Sequence, residues 1–170
     1  MVAIEASAPQ AIVVFTTGGT IDKAYFDALS EYQVGETVVA RLLSTGQVTH
    51  PYRVVEALRK DSLELTDEDR AALVKQIAGE VSDRIIVTHG TDTMTESARA
   101  LASIEGKTIV LTGALAPARF AESDAPFNLG MAFAAVQILP AGVYIAMSGQ
   151  VFRGDRVRKD RANARFVPTT

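Results

Sequence analysis

A doubly wound α/β domain, three layers deep with a mostly parallel sheet, is the fold this sequence predicts, and three observations predict it. Short apolar runs rich in β-branched residues recur along the chain, stretches of helical periodicity lie between them, and each run is bounded by polar, Gly or Pro punctuation. Alternation of strand and helix leads each strand through a crossover helix into a parallel neighbour, which covers both faces of the sheet. The expected architecture is therefore flavodoxin-like, in one domain over residues 1–170.

The elements follow in order. AIVVF (Ala11–Phe15) reads as the first strand and runs straight into TTGGTID (Thr16–Asp22), where paired glycines let the backbone turn sharply and present the next hydroxyl, Thr20, rather than pack it. From Asp22 to Gly35 the composition is mixed and ends in SEYQVG, which reads as a mobile lid loop rather than a regular element. YRVVEAL (Tyr52–Leu58) is the second strand. Glu68–Ile77 has helical spacing, with Leu73, Val74 and Ile77 on one stripe. RIIVTHG (Arg84–Gly90) is the third strand, Ser97–Ile104 a helix, KTIVLTG (Lys107–Gly113) the fourth strand, Phe127–Ile138 a helix and GVYIAM (Gly142–Met147) the fifth strand. All five strands read as buried on both faces. After Met147 the segment SGQVFRGDRVRKDRANARF is basic, and Gly154 with Asp155 marks a hairpin turn. Asp155 and Asp160 interrupt the positive charge, so this segment reads as a solvated or subunit-facing ribbon rather than a nucleic-acid patch.

Composition narrows the chemistry. The chain is 48% hydrophobic and 22% charged with a formal net charge of −3, and its isoelectric point is about 5.4, so nothing in the overall field recruits nucleic acid or an anionic membrane. A small ligand is the expected partner. No cysteine is present, which excludes disulfides, thiolate zinc sites and a Cys nucleophile, and two isolated histidines make a poor metal site. Neither a cofactor nor a metal is expected. MVAIEASAPQ at the N-terminus has no positive n-region and no apolar h-region, and no apolar run approaches the roughly 18 residues of a membrane span. The expected location is cytoplasmic.

In a doubly wound sheet ligands bind outside the carboxyl ends of the strands, which places TTGGT after the first strand and THGTDT after the third at the functional edge. TGGTID is not a phosphate-binding G-x-x-x-x-G-K-[ST] loop, no G-x-G-x-x-G opens a helix, and no G-x-S-x-G elbow occurs. Hydroxyls at strand ends remain: Thr20, Thr91 and Ser62. A threonine hydroxyl becomes a useful nucleophile only beside a base or a polarising group. Taken alone, Thr20 is as well explained by a turn hydroxyl, and Thr93-Met94-Thr95-Glu96 by a helix capping box with Asp92 complementing the helix start. Capping leaves unexplained why Gly90, Thr91 and Asp92 gather at a strand exit, where a backbone N–H serves as an oxyanion donor. In a chain this poor in histidine, lysine is the candidate base, since burial near a sheet edge lowers an amine's pKa and leaves more of it unprotonated near neutral pH. Lys159, inside RVRKDR, reads by itself as a solvated lysine.

TTGGTID, VTHGTDTMTESA, GALAPARFAESDAPFNLGMA and VFRGDRVRKDRANARF occur here in that order, and with these four segments the chain resembles the N-terminal domain of bacterial-type L-asparaginases over nearly its whole length. The resemblance implies an amidohydrolase that splits the side-chain amide of asparagine into aspartate and ammonia through two threonines, without metal or cofactor. Thr20, after Gly19, matches the family's nucleophilic threonine and Tyr32 its polarising lid tyrosine. Thr91, Asp92 and Lys159 match the group in which lysine and aspartate orient and deprotonate a hydroxyl. Ser62 aligns with the serine that holds the substrate's α-carboxylate, Asp92 also receives the α-ammonium group, and Gly19 and Gly90 line the same pocket.

Leu63 stands where many relatives carry a polar amide, which implies a differently built amino-group subsite. Relatives commonly continue into a second, smaller domain, and a chain of this length resembles the short, single-domain L-asparaginases. Members of the family at large are commonly homotetramers, so a dimer or tetramer is implied by the resemblance, in keeping with the apolar excess of PFNLGMAFAAVQIL. Two other readings compete. One is a non-catalytic amino-acid or phosphate sensor on the same scaffold; the other is a glutaminase or an amidase acting on a related or macromolecule-linked amide, for which the basic tail speaks.

Overall fold

Every residue of β1 (Ile12–Gly18) is buried, as a strand must be when helices cover both faces of its sheet. In the computed structural model, which describes residues 10–26 and 31–169, β1 leads into a short 3-10 turn over Thr20–Asp22, an antiparallel ribbon of β2 (Lys23–Phe26) and β3 (Glu31–Val34), and the helix α1 (Val39–Thr45). β4 (Tyr52–Lys60) passes through a second 3-10 turn, Ser62–Glu64, into α2 (Asp67–Ala78). Then come β5 (Arg84–Thr88), α3 (Met94–Leu101), β6 (Thr108–Thr112), α4 (Ala125–Ile138), β7 (Gly142–Met147), β8 (Gln150–Arg153), β9 (Val157–Asp160) and β10 (Arg165–Pro168). The reading of the N-terminus as leaderless and residues 27–30 of the expected lid lie outside the described residues. No helix among the described residues is long and apolar enough to cross a membrane.

The main sheet runs in the order β4-β1-β5-β6-β7-β8, parallel throughout except for β8, which is antiparallel to β7. Alternate strand residues supply opposite cores, as the period of two requires. Val13, Phe15, Ile85 and Leu111 pack beneath Leu73 of α2 and Leu101 of α3. Val14, Ile86 and Val110 pack beneath Val39 of α1 and Leu129 and Val136 of α4. The expected doubly wound, flavodoxin-like arrangement is the one observed. Its strand order reverses at β1, so the crevice between the carboxyl ends of β1 and β5 is the topological switch point.

Four details depart from the sequence reading. β4 is not buried on both faces: it is an edge strand paired only with β1, and Arg53, Glu56 and Arg59 are exposed along it, the charged dress that keeps an edge from pairing with other chains. The expected lid loop is in part regular, since Tyr25 pairs with Tyr32 and Lys23 with Val34. Gly154 and Asp155 do not close a hairpin. The tight turns lie instead at Ser148-Gly149, both at positive φ, and between β9 and β10, while the Gly154 amide donates to the Val143 carbonyl at 2.8 Å as the chain leaves one sheet for another. Finally α3 starts at Met94 and ends at Leu101, three residues earlier at each end than the Ser97–Ile104 periodicity suggests.

Candidate active site

Three loops leave the carboxyl ends of β4, β1 and β5 side by side, and glycine lets them touch. Gly19 has φ 86° and ψ −169°, a region that only glycine occupies without strain. A Cβ at Gly19 would collide with the backbone N and Cα of Gly90, and a Cβ at Gly90 would stand 2.5 Å from the Ser62 Oγ. The loops that carry Thr20, Thr91 and Ser62, the first two each following one of these glycines, are thereby pressed against one another. We expect Gly19→Ala to cost about 3 kcal/mol or more, from strained backbone plus overpacking. Gly106→Ala, where φ is also positive but the space is open, should cost about 1 kcal/mol. Urea unfolding of both variants checks this, and equal losses would show that the Gly19–Gly90 contact contributes nothing.

Lys159 reaches the same crevice from β9. Its Nζ lies 2.7 Å from Thr91 Oγ1 and 2.7 Å from Asp92 Oδ1. The lysine side chain is only 13% exposed, against 37% for Asp92. Strand alternation explains how a lysine inside RVRKDR escapes solvent. Val157 and Lys159 share the inward face of β9, Val157 being buried, while Arg158 between them is exposed. The solvated reading of this ribbon holds for Arg158 and Arg165 and fails for Lys159.

Ser62 is 2% exposed and sits at the start of its 3-10 turn, where the Asp61 carboxylate accepts from the Leu63 amide at 3.1 Å. Lys23 pairs with Asp61 at 2.7 Å and so ties the β2–β3 ribbon to this turn. Burial works to raise the Asp61 pKa, but the Lys23 ammonium and the Leu63 and Ser62 amides outweigh it and hold the carboxyl below its usual value. Leu63 itself is 68% exposed beside the crevice. The capping box read at Thr93–Glu96 is not formed. Thr93 is the N-cap of α3 without any side-chain capping bond; its hydroxyl donates instead to the Ser62 carbonyl at 2.7 Å, and Glu96 accepts from Arg70 at 3.0 Å.

Two groups missed by sequence reasoning brace the loops. Asp22, 1% exposed, accepts the Val38 amide on Oδ1 at 2.9 Å, and its backbone carbonyl accepts the Gly35 amide at 2.9 Å. Both ends of the β2–β3 ribbon are thus fastened two residues beyond Thr20. Burial raises its carboxyl pKa, opposed by the Val38 amide and the Thr37 hydroxyl. The signal was present in TTGGTID, but an acid after a turn is usually solvated. His89 is fully buried, with Nδ1 2.7 Å from the Gly90 carbonyl and Nε2 2.7 Å from Ser97 Oγ. A carbonyl only accepts, so the proton is on Nδ1 and Nε2 accepts from the serine.

Burial lowers the His89 pKa to about 4 from 6.5. Below pH 6.5 the unfolded imidazole binds a proton that the folded one refuses, so stability present at neutral pH is lost as pH falls from 6.5 toward 4, by about 2 to 3 kcal/mol. Urea unfolding at pH 7 and pH 5 reads this, and a flat profile across that window would contradict the neutral, buried assignment.

Tyr32, the expected lid tyrosine, lies on the β2–β3 ribbon opposite Tyr25. It is 51% exposed on β3, its ring 5.4 Å from Tyr25 and 5.9 Å from Phe120. Among the described residues no hydrogen bond joins Tyr32 to Thr20.

A family model described as the N-terminal part of asparaginase matches residues 11–166. A glutaminase-asparaginase of Acinetobacter glutaminasificans is 30% identical over 162 residues, covering 87% of this chain and 49% of the relative. The crystal structure of L-asparaginase I from Vibrio cholerae superposes with TM-score 0.83 at 27% identity, over 95% of this chain and 52% of that one. A probable cytoplasmic L-asparaginase from Campylobacter jejuni superposes with TM-score 0.76 at 29% identity, over 91% and 49%. The chain spans about half the length of the curated relatives it matches.

Proposed function

The chain belongs to the asparaginase family through its N-terminal domain, and on that premise we propose that it is an amidohydrolase releasing ammonia and L-aspartate from L-asparagine. One observation carries the reading: the Lys159 amine, 2.7 Å from both Thr91 Oγ1 and Asp92 Oδ1, stands where two glycines press the Thr91 loop against the Thr20 loop. That arrangement provides a hydroxyl linked to an amine and a carboxylate, and a second hydroxyl on the adjoining loop to attack or to be attacked through.

In this proposal the Thr20 Oγ adds to the side-chain amide carbon while its proton passes through the Thr91 hydroxyl to the unprotonated Lys159 amine as the C–O bond forms. The resulting oxyanion is held by backbone N–H groups at Gly90 and Thr91. Collapse expels ammonia, which takes up a proton delivered through Thr91, Lys159 and Asp92. Water then cleaves the acyl ester of Thr20 and frees aspartate. Ser62 holds the α-carboxylate and Asp92 the α-ammonium group. Tyr32 polarises Thr20 once an amino acid occupies the crevice, since catalytic hydrogen bonds often form only in the substrate complex. The mechanism uses no metal or cofactor.

Asparagine is proposed as the preferred substrate, with glutamine second; the dual name of the Acinetobacter relative supports both as candidates. A cytoplasmic location follows the Campylobacter neighbour, and a homo-oligomer is proposed from the exposed apolar residues Phe127 and Ile138 of α4. Ammonia release measured with asparagine and glutamine side by side tests the reading. The expected result is a higher kcat/KM for asparagine, whereas no ammonia from either amide would contradict the activity.

A further inference from the structure

We propose that Thr93 is a positioning residue for the substrate-holding turn, acting through its hydrogen bond to the Ser62 carbonyl; the role rests on the asparaginase reading above. An N-cap threonine ordinarily spends its hydroxyl on an amide of its own helix. Thr93 does not. It is 8% exposed, starts α3 with no side-chain capping bond, and donates to a carbonyl 31 residues away at 2.7 Å. The helix forgoes its own cap so that the Ser62 turn is fastened.

A second brace runs parallel to the first. Arg70 is 9% exposed and donates from Nη1 to the Leu65 carbonyl at 3.2 Å and from Nη2 to Glu96 Oε2 at 3.0 Å. Leu65 is three residues after Ser62, and Glu96 three after Thr93. The turn that presents Ser62 is therefore tied at both ends to the first turn of α3, immediately after Thr91 and Asp92. Two tethers fix both the position and the tilt of the turn. Their purpose is legible from what they join: the proposed carboxylate anchor on one side and the proposed reacting group on the other. Holding these at a set separation matches the pocket to one length of amino acid.

Because Thr93 bonds the anchor side, and no hydrogen bond among the described residues joins its hydroxyl to Lys159 or to the Thr91 hydroxyl, its loss should weaken binding rather than chemistry. Thr93→Val keeps the shape and removes the donor. The expected result is a KM for asparagine raised about tenfold, with kcat within about twofold of wild type. Thr93→Ser should restore KM. If Thr93→Val does not fold, Arg70→Gln is read the same way. An unchanged KM, or a kcat that falls as much as kcat/KM, in an otherwise active enzyme would overturn the positioning role while leaving the activity intact. A wild type that releases no ammonia would instead sink the functional reading, and this role with it.

Discussion

Replacing Thr20 by alanine is expected to reduce ammonia release from L-asparagine by at least about a thousandfold, the scale on which losing a covalent nucleophile is felt. The substitution is mild for the fold. Thr20 opens a 3-10 turn whose backbone bonds, such as the Asp22 amide to the Gly19 carbonyl at 3.1 Å, do not involve its hydroxyl. Thermal unfolding should therefore stay close to wild type, within about 0.5 kcal/mol. Loss of activity with the transition unmoved assigns the defect to chemistry. Turnover equal to wild type would remove Thr20 from the nucleophile's role and leave Thr91, whose hydroxyl meets the Lys159 amine, as the candidate.

Lys159→Met is expected to be nearly as damaging, lowering kcat by about a thousandfold with a smaller change in KM. Methionine keeps most of the lysine stem, so Val157 and Phe166 beside it on the β9–β10 ribbon retain their packing. What disappears is the amine that spans Thr91 Oγ1 and Asp92 Oδ1. Asp92 is more than a third exposed, so water can take over its charge and the stability cost should remain about 1 kcal/mol. The split between a large kinetic loss and a small stability loss distinguishes a proton-transfer group from a structural ion pair. Steady-state kinetics and urea unfolding on one preparation read both; a variant that loses stability and retains kcat would make Lys159 a structural residue.

Much of this architecture is legible in the sequence because buried parallel strands write continuous apolar runs. IVVF, IIV (Ile85–Val87) and IVL (Ile109–Leu111) are each claimed by both cores and admit no polar residue, and Gly18-Gly19 marks the turn where the chain must double back. What the sequence conceals is equally physical. Lys159 and Arg158 are chemically alike and adjacent, and only the pleat of β9, anchored by Val157, decides which of them is buried. Thr93 satisfies every local rule for a helix cap and yet bonds Ser62, because a carbonyl from a distant turn lies in reach of its hydroxyl. Asp22 resembles a solvated turn acid until its two bonds to residues 35 and 38 are seen. The lid segment carries too little apolar alternation to announce a ribbon, which β2 and β3 nonetheless form by pairing with each other.

The most direct measurement is a crystal structure of the protein soaked with the reaction product, L-aspartate. One aspartate should lie in the β1–β5 crevice with its side-chain carboxyl within hydrogen-bond reach of both the Thr20 and Thr91 hydroxyls and its α-carboxylate on Ser62. An aspartate bound elsewhere, or one that touches only one of the two threonines, would contradict the account.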